Sequence, residues 1–451
     1  MNRHILYAMV LCLLNPLIYT EDWGSSYLSL VILITYFTYL PKELLHPNNM
    51  LIAFYGLYIV VSSTLNLILS WIDWNYVLPW GQQVYWNQIS KYVLYQAEFT
   101  FLILFFSFRY FSRAKNRDIN VQATPIKIDR RTVYILSITN VLLVMWFLES
   151  TAGIINWITD YSYTYLAKRE GHGLLNIFNI TLGNVLVFIL GLWTQRSPRK
   201  LIPILLAIVA IALQSYMNGF KGRLIFLLIM YFSPWLMLMR INIKSLSLIS
   251  ITFFLLLYTA TLVRTEGFYA SGPFFMEMLI GYFNAHQLHE LIVSSRDPGF
   301  LQTVWQIFVK PLQSLGLLGL NVDFDISVML TKEFFPEHWY REKATQQWPL
   351  DTELYLNYFG FYLSWIPLLV YASFVGFLFR ISVVKRNLWL MPVFILEFNR
   401  VFSALRGTLI PWEIFFIIVQ YPVIYLIARR CIRPVGSKRS SIAWSLEPKR
   451  A

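Results

Sequence analysis

The chain is run after run of apolar residues, each long enough to cross a bilayer, and nothing else in it limits the fold as much. A helix crosses the hydrocarbon core in roughly 20 residues. Lipid offers no partner for backbone N–H and C=O groups, so only helices and closed barrels span it. A barrel needs short segments of alternating polarity, and the run Leu201 to Leu213 shows no alternation. Only 14% of the residues are charged, against about 25% in soluble globular chains. The expected fold is an all-α polytopic membrane protein. Twelve spans are expected, at about 5–20, 26–40, 51–72, 92–108, 132–152, 175–195, 201–217, 224–239, 246–263, 353–379, 387–405 and 413–428. The first reads as a retained helix, because no small-residue cleavage site follows it.

Loop charge sets the orientation. Of the 37 Lys and Arg, 24 fall in segments on one side of these spans, with four acids among them; the other 13 share the rest of the chain with 20 acids. The first side comprises Arg3, Lys42, Arg109 to Arg131, Arg196 to Lys200, Arg240 to Lys244, Arg380 to Arg386 and Arg429 to Arg450. Positive loops stay inside, so both termini are expected in the cytoplasm. The formal charge of +13 therefore disperses over a topology and does not point to nucleic acid. Cys12 lies in an apolar run and Cys431 in the basic tail, so neither a disulfide framework nor a Cys metal site is expected. The expected organisation is one integral membrane domain, residues 1–451, with a large outer loop at 264–352 and a basic tail at 429–451.

The outer loop is long enough to be functional or partly structured. Within it, Met276 to Val293 reads as an amphipathic helix, and Phe300 to Leu318 as a second, interrupted at Lys310-Pro311. Aromatics make up 18% of the chain and crowd the expected interfaces, as at Trp74, Trp80, Trp86, Trp339, Trp348 and Trp412. An aromatic belt accounts for most of them. Stacking on the C–H faces of sugar rings is the other use of such side chains.

Cations also sit at outer helix mouths, where they should be depleted: Lys168-Arg169, Lys221 and Arg223 in NGFKGRL, Arg264 in LVRTEGF, and Arg400 and Arg406 in NRVFSALRGTLIPW. The planar guanidinium fork suits phosphate or carboxylate and keeps its charge. The plain alternative is that each snorkels to headgroups or pairs with an acid. That alternative fits Lys168 better, while Arg223 and Arg264 fit ligand binding. Gly219 and Gly222 would let backbone amides approach an anion. Arg400, within the last turns of its span, needs Glu397, Glu413 or a ligand as partner.

The acid–base candidates are His172 in REGHG, His338 in FFPEHWYREK, and Asp351 and Glu353 in QWPLDTELYLNYFGF, where the loop returns to the membrane. His is poised near neutral pH, although a lone loop His is more often a surface or core residue. Asp351 or Thr352 as N-cap, with Glu353 in the first turn, is the competing account of the carboxylates. His286 and His289 share a helix face at i, i+3, but no third ligand accompanies them, so no metal is expected. No P-loop, dinucleotide-binding glycine pattern or nucleophile elbow is present. Outer-face chemistry would then draw on an activated substrate, without nucleotide or other cofactor.

Two stretches, Asn218 to Leu224 and Pro349 to Phe361, together with the spans and the one large outer loop, resemble the O-antigen polymerases, which join oligosaccharide repeat units in Gram-negative bacteria. The resemblance implies a metal-independent, GT-C-like glycosyltransferase of the bacterial inner membrane, whose large loop is periplasmic. Its partners would be undecaprenyl-diphosphate-linked glycan donor and acceptor, the bilayer and a chain-length regulator protein. The diphosphate role falls on Arg223 or Lys221, and on Arg264, Arg169 and Arg406. The family often has Arg where this chain has Lys221, and here Arg223 follows Gly222, so the role falls on one or the other. An O-antigen ligase uses the same basic sites. A flippase or secondary transporter of an anionic glycolipid would instead use charges within spans, such as Glu98 and Glu149.

Overall fold

The computed structural model describes residues 24–73, 89–113, 126–161, 173–218, 220–241, 283–305, 326–342, 345–405 and 414–434, with a few isolated positions besides. Almost all of them are helical. Among the described residues, five helical segments are long and apolar enough to cross a membrane: Pro47–Leu65, Arg130–Thr151, Leu175–Arg196, Tyr362–Val384 and Ile414–Cys431. Shorter apolar helices occupy Gly24–Thr38, Leu201–Met217 and Arg223–Leu236. Large apolar side chains such as Ile135, Ile208, Val370 and Ile418 point outward from these helices. Such surfaces suit lipid as solvent, and the chain is an α-helical membrane protein. The expected spans 5–20 and 246–263 lie almost wholly outside the described residues.

The chain divides into two compact units. The first comprises Met1–Lys115, Trp235–Val384 and Phe394–Gln420. It contains α1 (Gly24–Thr38), α2 (Pro47–Leu51), a π-helical turn at Ile52–Gly56, α3 (Leu57–Trp71) and α4 (Lys91–Phe111). Ser90 caps α4, accepting from Val93 N at 3.4 Å. One face of α4 (Val93, Ala97, Phe101, Leu104, Phe105, Phe108) is buried. It packs on the long helix Phe361–Phe379, and Gly376 of that helix leaves room for Phe111, whose Cβ would lie 2.8 Å from an added methyl.

The loop return departs from expectation. The sequence predicts one span over 353–379, but two helices share that stretch, Leu350–Asn357 and Phe361–Phe379. Phe359 and Gly360 separate them at φ 51° and 60°. The backbone groups freed by the break find partners in an extended segment: Phe359 N donates to Gly299 O at 2.9 Å and Leu301 N to Asn357 O at 3.0 Å. Asn357 Oδ1 accepts from Thr303 N at 2.8 Å. The expected helix over Phe300 to Leu318 is therefore corrected at its start: Phe300 forms a bridge with Tyr358, and turns occupy 301–305.

The remaining loop helices are α10 (Ala285–Ser295), α11 (Ile326–Phe334), α12 (Pro336–Glu342) and α13 (Leu350–Asn357), followed by α14 (Phe361–Phe379) and α15 (Met391–Leu405), with α5 to α9 defined below. Leu288, Ile292, Ile326, Leu330, Phe335, Trp348 and Leu356 form one core with Val61 and Leu65 of α3. Trp348 is 0% exposed within that core. It is a core side chain, which corrects its expected place in an interfacial belt. Of the helix expected over Met276 to Val293, α10 covers Ala285 onward and runs two residues past Val293; Asn284 lies outside the helix at its N-cap, which corrects the expectation there, and most of 276–282 lies outside the described residues.

The second unit comprises Asn116–Pro234, Lys385–Val393 and Tyr421–Ala451. It holds α5 (Arg130–Thr151), α6 (Ile154–Thr159), α7 (Gly173–Arg196), α8 (Leu201–Met217) and most of α9 (Phe220–Leu236); α16 (Ile414–Cys431) ends in it. Helix α7 is buried over most of its length because glycines let its neighbours close in. A methyl at Gly191 would collide with Tyr231 O of α9, and one at Gly183 would lie 2.5 Å from Gln214 Cδ of α8. Gln214 donates to Asn140 Oδ1 at 2.9 Å and Asn179 O at 3.0 Å, joining α5, α7 and α8 through amides that lipid could not satisfy. A two-stranded antiparallel ribbon pairs β1 (Ile126–Ile128) with β2 (Ile432–Pro434), the latter from the start of the basic tail.

Candidate functional site

Helix α13 carries both candidate carboxylates, and all eight of its residues are buried. Residues i and i+2 of a helix do not share a face, and the two side chains diverge accordingly. Asp351 Oδ2 accepts from Tyr55 Oη at 2.6 Å, and Oδ1 from Thr100 Oγ1 at 2.7 Å. Tyr55 sits on the π-helical turn between α2 and α3, a distortion frequent at functional sites. Thr100 and Gln96 lie one turn apart on α4. Gln96 Nε2 donates to Asp351 O at 2.8 Å. Gln96 Oε1 lies 3.2 Å from His289 Nε2, whose Nδ1 lies 3.3 Å from Thr352 Oγ1. Two elements, the π-helical turn and α4, thus clamp the backbone and carboxylate of Asp351, and α10 holds Gln96 and Thr352 beside it.

Neither carboxylate is an N-cap, which corrects the capping account. Pro349 holds that position, and Asp351 and Glu353 lie in the first turn with other partners. Glu353 accepts from Leu409 N at 2.6 Å. Burial raises the Asp351 carboxyl to about 6, opposed by the hydrogen bonds from Tyr55 and Thr100. Burial raises Glu353 to about 8, opposed by the Leu409 amide. Burial lowers His286 to about 4, and His289 to about 3 with help from His286, so both imidazoles are neutral. A carboxylate that titrates near neutrality and is held by fixed hydroxyls fits a general base.

The raised value at Glu353 has a consequence for stability. The folded state holds the proton more tightly than the unfolded chain, so its contribution is full below about pH 4.5 and is lost as pH rises towards 8. Glu353→Gln keeps an acceptor for Leu409 N and has no acidic proton to lose. Thermal unfolding in detergent should give equal midpoints for the two proteins at pH 4. The variant should lead by several degrees at pH 9; equal midpoints there would refute the burial account.

The remaining candidates divide. His172, Arg169, Arg264 and Arg406 lie outside the described residues. Lys221 and His338 lie on α9 and α12, but their side chains lie outside the described part. Arg400 Nη2 donates to Gln420 Oε1 at 2.9 Å, and Nη1 lies 3.9 Å from Glu397 Oε2, one of its two expected acid partners. In the second unit, Arg223 Nη2 donates to Asn184 Oδ1 of α7 at 2.6 Å, and its guanidinium carbon lies 5.3 Å from the centre of the Phe226 ring. Its Nε is buried without a partner.

A small cavity of about 10 Å³ adjoins Asp351 in the first unit, with Phe54, Tyr55, Tyr58, His286 and Gln347 among its lining; a space of that size holds about one water. Tyr55, Gln96 and Thr100 were not singled out from sequence. The available signal was the i, i+4 pair of polar residues, Gln96 and Thr100, inside an otherwise apolar run. Comparison with protein-family models, with curated proteins and with solved structures gives no match for the chain.

Proposed function

We propose that the chain is an O-antigen polymerase: a glycosyltransferase of the bacterial inner membrane with twelve spans, GT-C-like architecture and both termini cytoplasmic. The observation that carries this reading is Asp351. It lies in the stretch that bears the family resemblance, it is buried under two hydroxyl donors, and it lines a small cavity. As base, Asp351 takes the proton of an acceptor sugar hydroxyl. That oxygen bonds to the anomeric carbon of the donor glycan while the bond from that carbon to the lipid diphosphate breaks. The diphosphate leaves as an anion, so the need is for cations rather than an acid. The cations that the family resemblance offers for this are Arg264, Arg406 and Arg400 in the first unit, and Arg169 with Lys221 or Arg223 in the second.

Lipopolysaccharide ladders test the reading. Deleting the gene from its host should leave one repeat unit on the core, and the wild-type gene should restore the ladder. Bands without any repeat unit would identify a ligase, and an unchanged ladder would exclude both enzymes. Arg223→Ala, Arg264→Ala and Arg406→Ala, at wild-type expression, should shorten the ladder. Normal ladders in all three would overturn the assignment.

A further inference from the structure

The apolar surface of α14 does not stop at its first turn. Along the helix Tyr362, Trp365, Ile366, Leu369 and Val370 are exposed, at the spacing of one helix face. The segment Tyr362–Val384 is long and apolar enough to cross a bilayer, so this stripe meets lipid. Phe359 lies three residues ahead of Tyr362, beyond the break, and is 41% exposed. The ring of Phe300, 53% exposed, stacks on it with centres 5.4 Å apart and planes 7° from parallel. Leu301 and Trp305 of the same segment are exposed as well. The ring of Phe308 lies 6.2 Å from that of Phe415, in the first turn of α16, a second helix of spanning length.

Strained backbone presents this patch. Leu301 and Phe359 hold φ 49° and 51°, which is costly for residues with side chains, and both turn an apolar group outward. The backbone itself needs no water. Gly299 N donates to Tyr355 O, Leu301 N to Asn357 O, Phe359 N to Gly299 O, and Thr303 N to Asn357 Oδ1. Trp305 Nε1 donates to Gln302 O at 2.9 Å, so the polar atom of that exposed ring is also satisfied. Non-helical backbone is tolerated at membrane depth only when its polar groups are paired within the protein. We propose that residues 300–305, with Phe359, form a membrane anchor, immersed in the interfacial zone of the leaflet where α14 begins, and that bilayer lipid is the partner of this face. The hydrogen bonds to Tyr355 and Asn357 then hold α13 at a fixed depth relative to the bilayer. This role is independent of the reaction at Asp351.

Photocrosslinking of the full chain in phosphatidylcholine nanodiscs tests the anchor. The probe p-benzoylphenylalanine is placed at Phe300, Trp305, Val370 or Lys127, one site per protein. Val370 is the lipid-facing reference, and Lys127, exposed in the short ribbon, is the reference outside the spans. Phospholipid adducts, read by mass spectrometry, should form at Phe300 and Trp305 within about threefold of the yield at Val370 and about tenfold above that at Lys127. Should the probe at Phe300 prevent folding, Trp305, outside the stacked pair, decides alone. Adducts confined to a second copy of the chain would assign this face to an oligomer and overturn the anchor. Lipid yields no higher than at Lys127 would place the face in water and overturn it too.

Discussion

Asp351→Asn should reduce polymerisation by about 10²- to 10⁴-fold, the usual contribution of a positioned general base. Ladders should collapse to one repeat unit while protein level and thermal midpoint stay near wild type. The amide fits the same space, and the Tyr55 and Thr100 hydroxyls can rotate to meet a donor as well as an acceptor. The wild-type rate should rise with pH through about 6, where the Asp351 carboxyl loses its proton. Tyr55→Phe supplies an internal check. The Tyr55 hydrogen bond lowers the Asp351 value, so its removal should move the acid limb to higher pH. A limb that stays in place would mean that Asp351 is not the group being titrated, and full activity in Asp351→Asn would remove it from the chemistry.

Gly360→Ala should be the most disruptive single-methyl change near the site. The residue holds φ 60°, and an added Cβ would collide with the Tyr92 hydroxyl. Backbone strain of this kind costs about 1–3 kcal/mol, and the collision adds to it. Gly153→Ala separates the two terms: that glycine has φ 81° but nothing within 4 Å of the added carbon. Both variants should lower the thermal midpoint, Gly360→Ala clearly more. Because Gly360 ends the break that orients α13, its variant should also lose activity at temperatures where it remains folded, while Gly153→Ala should not. Equal midpoints for the pair would show that the Tyr92 contact carries no weight.

The helical spans were legible because an apolar run of bilayer length has few other uses. Leu201–Met217 matches its predicted ends, and Gly24–Thr38 and Ile414–Cys431 shift by one to three residues. Helix α13 was not legible as a separate element. Half of its residues are polar (Asp351, Thr352, Glu353 and Asn357) yet all eight are buried, and polar residues just ahead of an apolar run read as the first turn of that run rather than as a buried helix of their own. The break itself is only Phe359-Gly360, held by Gly299 and Leu301 from far upstream in sequence. Burial of Asp351 and Glu353 was hidden for the same reason: a carboxylate two residues into a helix reads as a capping group until its tertiary partners are known. Arg223 was visible as a candidate, but sequence does not say which way a side chain turns, and its partner Asn184 is on another helix.

The short ribbon between Ile126–Ile128 and Ile432–Pro434 sets a limit for anyone shortening or tagging this protein. Asp129 N reaches Cys431 O at 2.8 Å, and Arg433 meets the Asp129 carboxylate at 2.6 Å. A deletion reaching back through Ile432 would unfasten the entry to α5 as well as the exit from α16. An affinity handle fused beyond Pro434 leaves that clasp intact.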